Sequence, residues 1–125
     1  KRTRRASVNY LPNEITLSTK ATNKFSYIKS KVRIAPNIMA RVAILKALES
    51  NIAPEMLETP EFISQKIPKD VAFGEYADIF NFAVKQYIDT HAYTGDIKTL
   101  ISNLIETGSY KIGNIKKPQD LESLF

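Results

Sequence analysis

Three features of this 125-residue chain predict an all-α, mainly helical fold with a short N-terminal extended segment. Apolar residues recur at helical spacing over most of its length, one brief stretch near the start alternates instead, and cysteine is absent. The composition, 43% hydrophobic and 25% charged, is that of one globular domain with a modest core. Residues 1–10 are expected to be a basic, disordered tail, and residues 11–125 a single helical domain.

The alternating stretch is Glu14-Ile15-Thr16-Leu17-Ser18, preceded by Leu11-Pro12-Asn13. Ile15 and Leu17 would face the core, while Glu14, Thr16 and Ser18 would line an exposed face. So short a strand needs a partner, and Pro12 suits the start of an edge strand. Ser18 is then a good N-cap for a helix over Thr19–Val32. There Ala21, Phe25, Ile28 and Val32 form the buried stripe. Lys20, Lys24, Tyr27 and Lys31 run along one margin of that stripe, and Lys29 and Arg33 along the other.

Pro36 fits the first turn of a second helix. From Ile38 to Leu48 only Arg41 and Lys46 interrupt the apolar residues. A helix apolar on every side is expected to be covered on every side. In a chain this small that requires another subunit, so a helical oligomer is expected. The order strand, helix, turn, helix gives the N-terminal half a ribbon–helix–helix-like plan, in which strands pair between chains. Pro54, Pro60 and Pro68 predict a loop with one short helical turn over residues 53–69. Helical spacing returns between Gly74 and Tyr93, and Asp96 caps a further helix over Ile97–Thr107 that Gly108 should stop. A small terminal element gathers around Ile112, Ile115, Leu121, Leu124 and Phe125.

Without cysteine there are no disulfides, thiolate metal sites, iron–sulfur ligands or cysteine nucleophiles. A single histidine, His91, excludes a multi-histidine metal site within one chain. No apolar run approaches the ~20 residues that cross a bilayer, and no secretory pattern opens the chain. Glu75 and Asp78 sit where carboxylates complement a helix dipole. No G-x-S-x-G turn or phosphate-cradling glycine loop is present. The reading is a non-enzyme with no catalytic residue, metal or cofactor, and no membrane partner. A DNA-nicking hydrolase using Glu75 and Asp78 is a third reading.

Charge is distributed unevenly. Residues 1–46 hold eleven Lys and Arg against one acid, Glu14, whereas residues 47–125 hold seven Lys against twelve acids. Such asymmetry points to a polyanion partner. Lys20, Lys24, Lys29, Lys31, Arg33 and Arg41 are the candidate phosphate contacts, with Asn37 beside the free N–H groups that open the second helix. Four such contacts per chain in a dimer correspond to a log–log salt slope of about −7. Glu14, Thr16 and Ser18 would read bases poorly, so backbone recognition is expected rather than sequence recognition. The runner-up is a ribbon–helix–helix regulator bound to one operator.

The blocks Leu11–Ser18, Ile34-Ala35-Pro36-Asn37-Ile38-Met39-Ala40-Arg41-Val42-Ala43, Gly74-Glu75-Tyr76 and Lys117-Pro118-Gln119-Asp120-Leu121 together resemble the DndE family. The resemblance spans residues 11–125, and the P-N-I-x-A-R segment is its most specific part. It implies a small helical protein of DNA phosphorothioation, in which sulfur replaces a non-bridging phosphate oxygen. It further implies a cytoplasmic, prokaryotic DNA-binding subunit, tetrameric and favouring nicked duplex. A cysteine desulfurase, an iron–sulfur protein and an ATPase would be its partners. Carried over by matched positions, the resemblance implies roles for Lys29, Asn37 and Arg41. The family commonly has a basic residue where Glu14 stands and a glycine where Arg33 stands.

Overall fold

The computed structural model describes residues 9–113, 115–122 and 124. Residues 1–8 of the expected tail, and Phe125 of the terminal element, lie outside them. Tyr10, assigned to the tail from sequence, is half-buried and donates its backbone N–H to Asn81 Oδ1 at 2.6 Å.

Strand β1, Glu14–Ser18, leads directly into helix α1, Thr19–Val32. Ser18 caps α1 as its sequence suggests, accepting from Ala21 N at 3.0 Å. Helix α2 follows over Pro36–Ser50, then a 3-10 turn at Pro54–Met56. The segment read as a loop contains strand β2, Ile63–Pro68, and helix α3, Lys69–Phe73. A 3-10 turn at Gly74–Tyr76 opens helix α4, Ala77–His91; α5 spans Ile97–Lys111 and α6 Gln119–Glu122.

β1 and β2 form a two-stranded antiparallel sheet, with Ile15 opposite Ile67, Leu17 opposite Gln65 and a bulge at Leu17/Ser18. The pairing is therefore within the chain. The ribbon–helix–helix plan survives as an order of elements but not as strand exchange between subunits. The exposed strand face also fails to appear. Thr16 and Ser18 are buried along with Ile15 and Leu17, because α5 lies across that side of β1. Their hydroxyls are satisfied there: Thr16 Oγ1 bonds Ser102 Oγ, and Ser18 Oγ donates to Glu106 Oε1 at 2.5 Å.

The core lies between α2 and α5. Met39, Ala40, Ala43, Ile44 and Ala47 of α2 meet Leu100, Ile101, Leu104 and Ile105 of α5, all buried. Gly108 does not stop α5, which runs on to Lys111. A Cβ at Gly108 would lie 1.8 Å from Ala43 O, so glycine is there to let the two backbones touch. The other side of α2 is open. Ile38 and Leu45 are 36% and 39% exposed, and Val42 between them is half-buried. One chain thus covers α2 on one side only.

Candidate nucleic-acid interface

α1 contains no carboxylate, and none occurs between Ile15 and Leu48. Its buried residues Ala21, Phe25 and Ile28 fix the helix against the core. The remaining arc is solvated and carries cations on both flanks. Lys20, Lys29, Lys31 and Arg33 are exposed, and none has a carboxylate within ion-pair distance among the described residues.

Two of them converge. Ser26, Lys29, Ser30 and Arg33, spaced three, one and three along the helix, line a shallow depression of about 420 Å³. The Ser30 hydroxyl is occupied by Tyr27 O at 2.6 Å, leaving Ser26 as the hydroxyl donor beside the cations. Arg33 ends α1 with φ 63° and ψ 35°, the left-handed conformation a glycine would hold most easily, and its N–H closes on Lys29 O at 2.9 Å. The other flank is built differently. Lys31 Nζ lies 5.4 Å from the Tyr27 ring centroid, and Lys20 Nζ lies 5.8 Å from that of Tyr110. Such cation–ring contacts hold the lysine stems while the ammonium heads stay hydrated.

Lys24 does not join this face. Its Nζ donates to Ser109 O at 2.6 Å and to Ile112 O, capping the C-terminal carbonyls of α5. Burial pulls its ammonium below the usual lysine range. A cation at a helix C-terminus complements the dipole, so Lys24 works inside the fold and not at the surface.

Asn37 and Arg41 are likewise occupied. Asn37 Nδ2 donates to Val71 O at 3.1 Å; Arg41 Nε donates to Ala72 O at 2.6 Å and Nη2 to Val71 O at 3.3 Å. The guanidinium also lies 5.6 Å from the Tyr76 ring centroid. Gly74, at φ +54°, passes so close that a Cβ would sit 3.0 Å from Arg41 Nη2. The P-N-I-x-A-R segment thus fastens α2 to the carbonyl end of α3. Glu14 faces Lys98 at 3.3 Å and Lys66 at 3.9 Å.

Tyr110 is an unexpected member of the α1 junction. It donates to Glu106 Oε2 at 2.7 Å, and that carboxylate bond, followed by burial, pushes its hydroxyl up to about 12. Glu106, 2% exposed, therefore joins Ser18 to Tyr110 and ties the start of α1 to α5. Only the tertiary fold brings these three together. In contrast, Ser26 and Ser30 beside Lys29 and Arg33 are a signal that helical spacing alone offers. Among the described residues no group of three or more His, Asp or Glu side chains is placed to hold a metal. No helix of the described residues is long and apolar enough to cross a membrane.

Fold and face together define a small, mainly helical protein whose exposed α1 cations make no ion pair among the described residues. The chain belongs to the DndE family: the family model described as DNA sulphur modification protein DndE matches residues 14–119. Its fold is similar to that of DndE from Escherichia coli B7A, a protein involved in DNA phosphorothioation modification. That crystal structure is 24% identical, covers 82% of this chain and 98% of its own, and gives a TM-score of 0.63. A glycine-to-lysine mutant of DndE is similar at 24% identity, 81% and 97% coverage and a TM-score of 0.61. No curated protein matches.

Proposed function

We propose that this chain is the DNA-engaging, non-catalytic subunit of a DNA phosphorothioation system, binding duplex through its backbone and favouring nicked duplex. The observation that carries this reading is the α1 surface, where Lys20, Lys29, Lys31 and Arg33 stand exposed and none makes an ion pair among the described residues. Phosphates attract such cations without regard to base sequence. A cysteine-free chain cannot carry a persulfide, so the sulfur and nucleotide chemistry falls to a desulfurase, an iron–sulfur protein and an ATPase acting beside it in the cytoplasm. Homo-oligomerisation to a tetramer would cover the open face of α2 and bring several α1 helices onto one ligand. Two observations weigh against the operator-binding alternative. β1 already has its partner within the chain, and Thr16 and Ser18 are buried rather than offered to a groove.

The test is a salt titration with intact, nicked and single-stranded DNA of one sequence, repeated on a second sequence, with a solution mass measured alongside. Expected are tighter binding of the nicked form, little dependence on sequence, and at least about a tenfold loss of affinity from 50 to 200 mM salt. Converting Lys20, Lys29 and Lys31 together to Glu should lose as much at low salt, with the circular dichroism spectrum unchanged. Unaltered binding by that triple variant removes α1 as the contact surface. A preference for one sequence of ~10³-fold indicates a regulator instead.

A further inference from the structure

A second polar feature lies away from the Ser26–Arg33 depression. A groove of about 590 Å³ opens between the sheet and the N-terminal half of α5. Small-molecule sites typically occupy ~300–1,000 Å³. Its floor is the Thr16–Ser102 hydroxyl pair, 7% and 8% exposed. Two hydroxyls joined by one hydrogen bond retain one O–H to donate. On the wall stands Asn103, half-buried, whose side-chain amide has no hydrogen-bond partner among the described residues. A free amide presents a donor and an acceptor side by side, the pattern that pairs with the edge of a nucleobase. Ile63, 48% exposed, supplies an apolar surface within the same groove.

The rim is charged. Lys66 Nζ and Lys98 Nζ approach the same oxygen, Glu14 Oε2, at 3.9 and 3.3 Å. Two ammonium groups share this one carboxylate, and Lys66, the more distant and more exposed of the two, is the one available to a phosphodiester. The other carboxylate at the groove, Asp96, is engaged as the N-cap of α5, accepting from Thr99 N at 2.8 Å and Thr99 Oγ1 at 2.9 Å. The dipole end of α5 offsets part of its charge, and Lys98 attracts it as well.

We propose that this groove receives one unstacked nucleotide of a DNA strand, with its base against Ile63 and Asn103 and its phosphate at Lys66 and Lys98. The proposal rests on the DNA-binding reading and extends it: α1 would hold the duplex backbone, and the groove would hold a nucleotide released from stacking at a strand end.

The experiment uses the full chain and a nicked duplex carrying a one-nucleotide 2-aminopurine flap, compared with the same duplex bearing an abasic flap. The base-bearing flap should bind about threefold to tenfold tighter, the scale of one net hydrogen bond such as Asn103 would make, and its fluorescence should change on binding. Asn103→Ala and, independently, Ile63→Ser should erase that difference while leaving affinity for intact duplex within about twofold of the parent. Equal binding of the two flaps, with intact-duplex affinity retained, overturns the groove and leaves the DNA reading standing. Failure to bind any of the duplexes overturns both. Free dAMP serves as the competitor; if it binds more tightly than the flap, the groove belongs to a free nucleotide and the strand-end assignment is wrong.

Discussion

Arg33 occupies a backbone conformation that disfavours its own side chain. At φ 63° and ψ 35° it sits in the left-handed region, which costs a residue with a Cβ about 1 kcal/mol relative to glycine. The cation gained there joins Lys29 at the depression on α1. Arg33→Gly is therefore expected to raise stability by up to about 1 kcal/mol while weakening DNA binding and lowering its salt slope. Thermal melts and a salt titration of the same variant check both halves. A variant that is less stable, or that binds DNA as well as the parent, contradicts the trade. Ala92, at φ 52°, holds the same strained conformation at the end of α4 without contributing a cation.

Elements show how far local pattern carries before packing overrides it. Ser18, the buried stripe and the absence of an internal proline make α1 legible residue by residue, and the helix runs over Thr19–Val32 as its spacing predicts. β2 was not legible. Pro60 and Pro68 bound a run in which only Ile67 is buried, so the sequence between them lacks a clear period-two pattern. Its strand conformation comes from pairing with β1, a partner forty-five and more residues away. The end of α5 departs from its local signal for a related reason. Gly108 is a common helix stop in local terms, yet here it serves the contact with Ala43 of α2. Gly108→Ala should separate α2 from α5 at the centre of the core and destabilise the protein by about 2 kcal/mol or more, as overpacking does. Chemical denaturation measures this; a change below about 0.5 kcal/mol would mean that the helices can part without loss. The candidate site divides along the same line. The exposed cations of α1 follow from helical spacing alone, whereas the withdrawal of Lys24, Asn37 and Arg41 onto backbone carbonyls depends on where α5 and α3 end.

On the scale of the whole molecule, the open apolar face of α2 is the feature that one chain does not resolve. Ile38 and Leu45 are each more than a third exposed on a helix whose opposite side is fully buried. Leu45→Glu is expected to shift the solution mass towards the monomer while the monomer stays folded, because Leu45 already has solvent access within its own chain. It should also weaken DNA binding, since fewer α1 helices would then share one ligand. Sedimentation and circular dichroism distinguish this from unfolding. A parent protein that is monomeric throughout contradicts the premise.

Local pattern and composition by themselves determined the helical class, the limits of α1, the two sides of its buried stripe and the concentration of cations in the first forty-six residues. These are properties of sequence neighbours, and a regular backbone maps spacing directly onto a surface. What only the tertiary structure decided was the partner of β1, the fate of Gly108 and which cations remain outside. Each depends on contacts between residues far apart along the chain, where a carbonyl or a small side chain becomes significant only once another element arrives beside it.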